Sequence, residues 1–338
     1  MRSRTSARAQ ITDVAARARV SPATVSRVMN GHASVAADLV ERVLSAADEL
    51  GYRASPVARS LVLGRTQTIA VMVPDMANPS FQEVLRGITR AAAADGYRVL
   101  VADSQEDVTQ EPGLAREARR HCDALVLCAP RMSDAELAAL VPALAPVVLT
   151  HRGPTPGVPT SSADYRGGIA ALLDHLAGLG HRRLVYLAGP PSSASHRRRL
   201  EGIAAHVADH PGLSVDVLPC GVGFEEGYAA GEAVRRSGAT AALAFNDLVA
   251  MGLLSALHEA GVAVPEEVSV TGFDDIPFAR WTTPPLTTAA VPHGDLGQEA
   301  WRRLRALLDG EEPPPDVLVH PEVQVRASTG PARAEGAA

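Results

Sequence analysis

Residues 21–30, Ser21-Pro22-Ala23-Thr24-Val25-Ser26-Arg27-Val28-Met29-Asn30, combine side chains that can read DNA with the spacing of a short helix. Val25, Val28 and Met29 recur at helical intervals and turn inward, which leaves Pro22, Ala23, Ser26 and Arg27 outward. A guanidinium so placed can bond bidentately to guanine O6 and N7, while Ala23 and Pro22 offer apolar contact to a thymine methyl. Thr12, Ser21, Thr24 and Asn30 are hydroxyl and amide donors near helix ends, suited to phosphates. A lone arginine of this kind is more often a solvated surface residue, so the surrounding charge decides. The first 65 residues hold ten arginines against five acids, giving +5 in a 338-residue chain whose net charge is −6. The remainder therefore carries −11, and a basic head on an acidic body assigns a polyanionic partner to the head alone.

A second set of residues suits a small polar ligand. Phe81 and Phe224 can stack on a sugar or base ring, and Arg152, Arg199, Asn246 and Asp274 can bond hydroxyls or a carboxylate. Each has a plainer competing role. The aromatics can be core, Asp274 can cap a loop with Asp275 as the rival carboxylate, and His196-Arg197-Arg198-Arg199 can be a helix start with only Arg199 inward. Enzymatic patterns are absent: no G-x-G-x-x-G at a strand–helix turn, no Walker A sequence, no G-x-S-x-G and no H-E-x-x-H. The eleven histidines are scattered without ligand spacing, and three cysteines (Cys122, Cys128, Cys220) are too few and odd for a disulfide scaffold or zinc finger. No cofactor, metal or catalytic residue is therefore expected. No apolar run reaches the ~18 residues that span a bilayer, and MRSRTSARAQ has no apolar stretch behind it to serve as an export signal. The expected compartment is a reducing cytoplasm, at the nucleoid.

The elements that position these residues fall into two groups. In the head, Thr12 is expected to cap a helix through Ala18, Arg19-Val20 to turn the chain, and Ser21 with Pro22 to open a helix through Asn30. A third helix runs from about Ala36 to Leu50, with Leu39, Val43, Ala47 and Leu50 on one side and Gly51 ending it. Two short helices joined by a tight turn and braced by a third are helix-turn-helix geometry. Ser55 to Gly64 then predicts a helix of barely two turns, marginal alone. It reads as a linker or, with Val57, Leu61, Val62 and Leu63 supplying apolar surface, as a hinge helix that folds against a partner copy with Leu61 wedged into the minor groove.

From Thr68 onward, short aliphatic runs alternate with amphipathic stretches. Strands are predicted at 69–73, 98–102, 124–128 and 146–150, then at 184–188, 215–218, 241–245 and 268–273, with helices between them and a final helix near 293–309 followed by short strands near 316–326. Two such series make two doubly wound parallel-sheet lobes, whose ligands sit at the carboxyl ends of the strands. His151–Pro159 and Trp281–Thr288 look like the crossings between lobes.

The run Ile11-Thr12-Asp13-Val14-Ala15, then Val20 through Gly31, then Glu49-Leu50-Gly51-Tyr52-Arg53 and Ala58-Arg59-Ser60-Leu61, resembles the LacI/GalR family of bacterial transcription regulators. The likeness continues through Val73-Pro74-Asp75, Asn78-Pro79-Ser80-Phe81, Leu179-Gly180-His181, Asn246-Asp247 and Gly272-Phe273-Asp274-Asp275, and covers roughly residues 10–330. It implies a leader (1–9), a helix-turn-helix domain (10–54), a hinge helix and linker (55–66), a periplasmic-binding-protein-like effector and dimerisation domain (67–330) and a tail (331–338). It further implies a homodimeric repressor of a palindromic operator, controlled by a small effector, a sugar or a purine-like molecule, with no membrane partner. By similarity Phe81, Arg199, Phe224, Asn246 and Asp274 line the effector cleft, and Arg152 fits there too. The sequence departs from the family pattern at Arg19, where Gly or Asn with positive φ is usual, and at His151, where an acid is frequent. The rival reading is a cytoplasmic solute-binding module with a vestigial head.

Overall fold

The computed structural model describes residues 9–29, 35–52 and 64–333, in two compact units that part at Gln67–Thr68. Asn30, Leu61 and nearly all of the hinge segment lie outside the described residues, as do 1–8 and 334–338.

The head holds α1 (Ile11–Ala18), α2 (Pro22–Met29) and α3 (Ala37–Glu49). Its small core is built from Val14, Ala15, Ala18, Val25, Val28, Val43, Ala46 and Ala47, one face from each helix. Gln10, not Thr12, begins α1: its backbone N–H donates to Asp13 Oδ2 at 2.8 Å, and Thr12 lies one residue into the exposed first turn. Ser21 caps α2, its Oγ accepting from the Thr24 N–H at 3.1 Å. Between them Arg19 adopts φ 55°, ψ 49°, the left-handed conformation the family meets with Gly or Asn. Val20 N–H closes the turn on the Ala15 carbonyl at 3.0 Å. On α3 the buried stripe is shifted from the expected one: Val43 and Ala47 are buried with Ala46, but Leu39 is half-buried and Leu50 exposed.

The body is built on two six-stranded sheets. The first takes β1 (Thr68–Val73), β2 (Arg98–Asp103), β3 (Ala124–Cys128), β4 (Val147–Thr150), β5 (Thr160–Ala163) and β11 (Val317–Val319) in the order β11-β5-β4-β3-β1-β2. The second takes β6 (Arg183–Ala188), β7 (Ser214–Pro219), β8 (Ala241–Ala244), β9 (Ser269–Asp274), β10 (Thr287–Ala290) and β12 (Glu322–Gln324) in the order β12-β10-β9-β8-β6-β7. All pairings are parallel except β10 with β12. Alternate residues feed opposite cores. Ile69, Val71 and Val73 pack into one cluster and Ala70 and Met72 into another, while Leu184 and Tyr186 oppose Val185 and Leu187 in the second lobe. Both sheets are thus covered on both faces.

The first lobe's connections are α4 (Pro79–Ala94), α5 (Glu111–His121) and α6 (Asp134–Leu144). Those of the second are α7 (Tyr165–Gly178), α8 (Ala194–Asp209), α9 (Phe224–Ala229), α10 (Gly231–Ser237) and α11 (Asp247–Glu259). A final α12 (His293–Asp309) returns to the first lobe and packs on α4. That contact is close enough that a Cβ at Gly297 would sit 2.3 Å from the Val84 carbonyl.

The crossings differ from those expected. His151–Pro159 leads to β5 and Trp281–Thr288 into β10, each in the sheet it came from; the chain changes lobe after Ala163, after Ala290 and again after Val319. TSSA and TTAA are buried strands without an aliphatic run, so hydrophobic patterning passes over them.

Candidate nucleic-acid interface and ligand cleft

On the head, α2 turns Val25 and Val28 into the core and leaves Pro22, Ala23 and Arg27 exposed, with Ser26 half-buried between them. The face is compact and carries one cation. Ser21 Oγ and Thr24 Oγ1 lie 2.9 Å apart at the helix start, so one hydroxyl hydrogen can bond the other oxygen while leaving a second free to meet a phosphate. Arg42 donates to the Ala18 carbonyl and so holds the end of α1, which fixes how α2 is presented.

In the body the polar residues converge where the carboxyl ends of the two sheets face each other. Asn78, Ser80 and Phe81 at the start of α4, Ala129 and Arg131 after β3 and His151 after β4 meet Tyr165, Ser195, Arg199, Val222, Phe245, Asn246, Asp274 and His293. Asp274 is central. Its Oδ2 accepts from Ser80 Oγ of the first lobe at 3.0 Å, and its Oδ1 lies 3.6 Å from His293 Nε2. His293 Nδ1 lies 3.3 Å from His151 Nε2, whose Nδ1 lies 2.6 Å from the Tyr165 hydroxyl, so a polar chain crosses the cleft. Burial, with His293, Arg199 and Arg131 nearby, drives the His151 pKa well below its ordinary value, and the ring is neutral at pH 7. The backbone at Asp274 and Asp275 has φ 110° and 55°, a strained bend that lifts the Asp274 carboxylate toward the first lobe. Asp275 is committed elsewhere, to Arg326 at 2.6 Å.

Arg199, on α8, is 2% exposed and its guanidinium lies 3.9 Å from the Phe273 ring centroid, with Tyr165 and Phe245 at 4.7 and 4.8 Å. Its Nε and Nη1 have no hydrogen-bond partner. Three aromatic faces stabilise the charge but leave two strong donors free, and a donor buried without a partner carries a desolvation cost. Arg131 differs: both its Nε and Nη2 are bound by Glu106 at 2.6 Å. Asn246 caps α11 through the Val249 N–H and donates to the Val222 carbonyl. Behind it, fully buried Asp247 accepts from Thr288 and the Ile276 N–H, and burial raises its pKa well above the carboxylate range.

Phe81, Arg199, Asn246 and Asp274 are thus brought together, whereas Arg152 and Phe224 are not. Arg152 is buried against the loop after β3, donating to the Pro130 and Met132 carbonyls and to Asp134 at 2.5 Å. It lines a different cavity, of about 250 Å³, beside the lobe crossings. Phe224 opens α9 at its first turn, where the ring is 39% exposed and points away; Val222, two residues earlier, lines the cleft instead. Arg131, His151, Tyr165, Phe245 and His293 were not foreseen as lining residues. Arg131, His151 and Phe245 each follow the last residue of a strand by one to three positions, a signal that a search of every strand end finds.

These features have counterparts in known proteins. The profile of bacterial regulatory proteins of the lacI family matches residues 10–55, and that of the periplasmic binding protein-like domain matches 173–329. The chain is 33% identical to the HTH-type transcriptional regulator MalR of Streptomyces coelicolor, over 96% of this chain and 98% of that protein. It is 32% identical to the transcriptional repressor CytR of Escherichia coli, over 90% and 91%. Among solved structures it is similar to the lac repressor dimer bound to operator and the anti-inducer ONPF (TM-score 0.87, 27% identity, 96% of this chain and 100% of that one). It is also similar to a complex of the regulator CelR with cellobiose (TM-score 0.69, 28% identity, 95% and 100%). No helix among the described residues is long and apolar enough to cross a membrane. With a lacI-type helix-turn-helix, a two-lobed binding body and relatives matched nearly end to end, this chain belongs to the LacI family of bacterial regulatory proteins and is a DNA-binding transcription regulator.

Proposed function

We propose that the protein is a ligand-controlled repressor, without enzymatic activity, that acts in the cytoplasm as a homodimer on a palindromic operator. Each head reads one half-site through Pro22, Ala23, Ser26 and Arg27, with Thr12, Ser21, Thr24 and Asn30 on phosphates. The hinge segment, with Leu61 in the minor groove, bends the centre of the site. The effector is a polyhydroxylated ring, a sugar before a purine-like molecule. Phe81 packs on its face, Asp274 accepts from its hydroxyls, Asn246 lines one side, and Arg199 donates to a ring or hydroxyl oxygen.

The observation that carries this reading is the pair of unpartnered donors on buried Arg199, at the meeting of both lobes. An effector oxygen satisfies them, and the lobes then hold a geometry that differs from the ligand-free one. The space between the lining residues is about 30 Å³, room for a water or two at ~10–15 Å³ of free volume each. A sugar ring therefore enters only as the lobes part. That movement is the event the heads sense.

The test is a thermal-shift screen of the full-length protein against monosaccharides, disaccharides, nucleosides and free bases, repeated with Arg199→Met. A ligand that raises the melting temperature of the wild type and not of the variant, and that changes duplex affinity, supports the reading. Stabilisation equal in both proteins contradicts the assigned site.

A further inference from the structure

The outer face of the second lobe carries a cluster that the ligand cleft does not use. Asp174 on α7, His206 on α8 and His210 at the C-terminal cap of α8 each offer one ligand atom, and the three atoms lie within 4.8 Å of one another. His206 and His210 are four residues apart, which puts both rings on one face of the helix end. The rings stack at 4.0 Å between centroids and 14° between planes. Asp174 comes from the neighbouring helix, which packs along α8.

Two details set this apart from a chance surface grouping. His210 Nδ1 lies 2.8 Å from the His206 carbonyl oxygen. A carbonyl only accepts, so the ring proton is on Nδ1 and the Nε2 lone pair is free, the arrangement found behind metal-ligating histidines. His206 is 7% exposed, yet its Nε2 has no hydrogen-bond partner and faces Asp174 Oδ1 at 3.8 Å. A buried ring nitrogen without a partner is costly.

We propose that Asp174, His206 and His210 bind a divalent first-row transition ion, zinc fitting best. Two imidazole nitrogens select such ions over magnesium or calcium, which take oxygen ligands. Tetrahedral zinc with bonds of ~2.0–2.2 Å keeps its ligands about 3.4 Å apart. The buried His206 can stay in place while the exposed His210 ring turns out of the stack, bringing its lone pair onto the ion, and the exposed Asp174 side chain draws in. Three protein ligands leave a fourth position to water. Bound there, the ion pins α7 to the end of α8, the helix that also carries Arg199.

The test is a titration of the untagged, chelator-treated full-length protein with zinc, read by calorimetry and by melting temperature, with cobalt as the spectroscopic probe. The expected result is saturable binding of one ion per chain, a raised melting temperature, and visible cobalt bands of a four-coordinate site. Magnesium leaves the protein unchanged. His210→Ala and Asp174→Asn, both at exposed positions, stay folded by circular dichroism and weaken zinc binding about tenfold or more. No saturable binding by the wild type overturns the proposal, as does affinity unaltered in both variants, which would assign the ion to other side chains.

Discussion

Arg27 and Arg199 are two arginines put to opposite uses. Arg27 is exposed on α2 and makes no ion pair among the described residues, and the proposed function gives it a partner outside the chain. Replacing it by alanine is expected to cost about 1–3 kcal/mol, confined to one guanine position of each half-site. Affinities measured across single-base operator variants check this, and a loss uniform over all variants would mean a phosphate contact instead. Arg199 is buried, and its Nε and Nη1 have no partner among the described residues, so the proposed function turns them on an effector. Arg199→Met keeps the aliphatic reach but removes bonds worth about 1.5–3 kcal/mol each. Effector affinity should fall by about a hundredfold or more while the ligand-free protein still binds operator; duplex binding titrated with effector reads both. The placement of single residues was legible where it is local, as for exposed Arg27, capping Ser21 and Asp274 at a strand end. The placement of Arg152 outside that cleft was not, because a buried arginine looks the same in sequence whichever cavity it lines. The pair His206 and His210 was passed over among histidines read as scattered, because Asp174 completes the cluster only through the packing of two helices.

At the scale of elements, the turn between α1 and α2 holds the head's clearest local conflict. A side chain in the left-handed region costs roughly 1–2 kcal/mol, and Arg19 bears that cost at φ 55°. Arg19→Gly removes the clash but adds unfolded-state entropy, so the net gain should be below that cost, about 0.5–1 kcal/mol. Hydrogen exchange of the Val20–Val25 amides in the full-length protein measures it, and slower exchange in the variant is the expected outcome. Elements with strong apolar periodicity, such as β1, β3, β6 and α4, were readable to within a residue or two. The missed strands, β5 and β10, are Thr, Ser and Ala throughout. Their burial comes from α12 and α7 laid over them, a tertiary cause that a local pattern does not carry.

The whole body has a pH signature set by its buried and half-buried histidines. His151, His175, His181, His196 and His206 all have pKa values lowered, chiefly by burial. A group with a depressed folded pKa that is neutral when buried takes up its proton more readily in the unfolded chain. Stability from these rings is therefore present above the unfolded histidine pKa of ~6.5 and is lost as pH falls below it. Asp247 and Glu111, both raised by burial, work the other way, but they are two groups against five. The melting temperature is expected to drop between pH 7.5 and 5.5, before ordinary carboxylates titrate; a flat profile over that window would contradict the burial of these rings. The two-lobed architecture was legible from alternating strands and helices, since that alternation follows directly from chain order. The three lobe crossings were not, because which sheet a short strand joins is decided by packing after the lobes form.

The central claim is that the head recognises a two-fold symmetric sequence under control of a ligand in the body. Selection of bound duplexes from a randomised pool by the full-length protein tests it most directly, run with and without a mixture of sugars and nucleobases. Enrichment of one palindrome with a fixed half-site spacing is expected, in amounts that the mixture changes. Weak, salt-sensitive binding with no sequence enriched under either condition would contradict it.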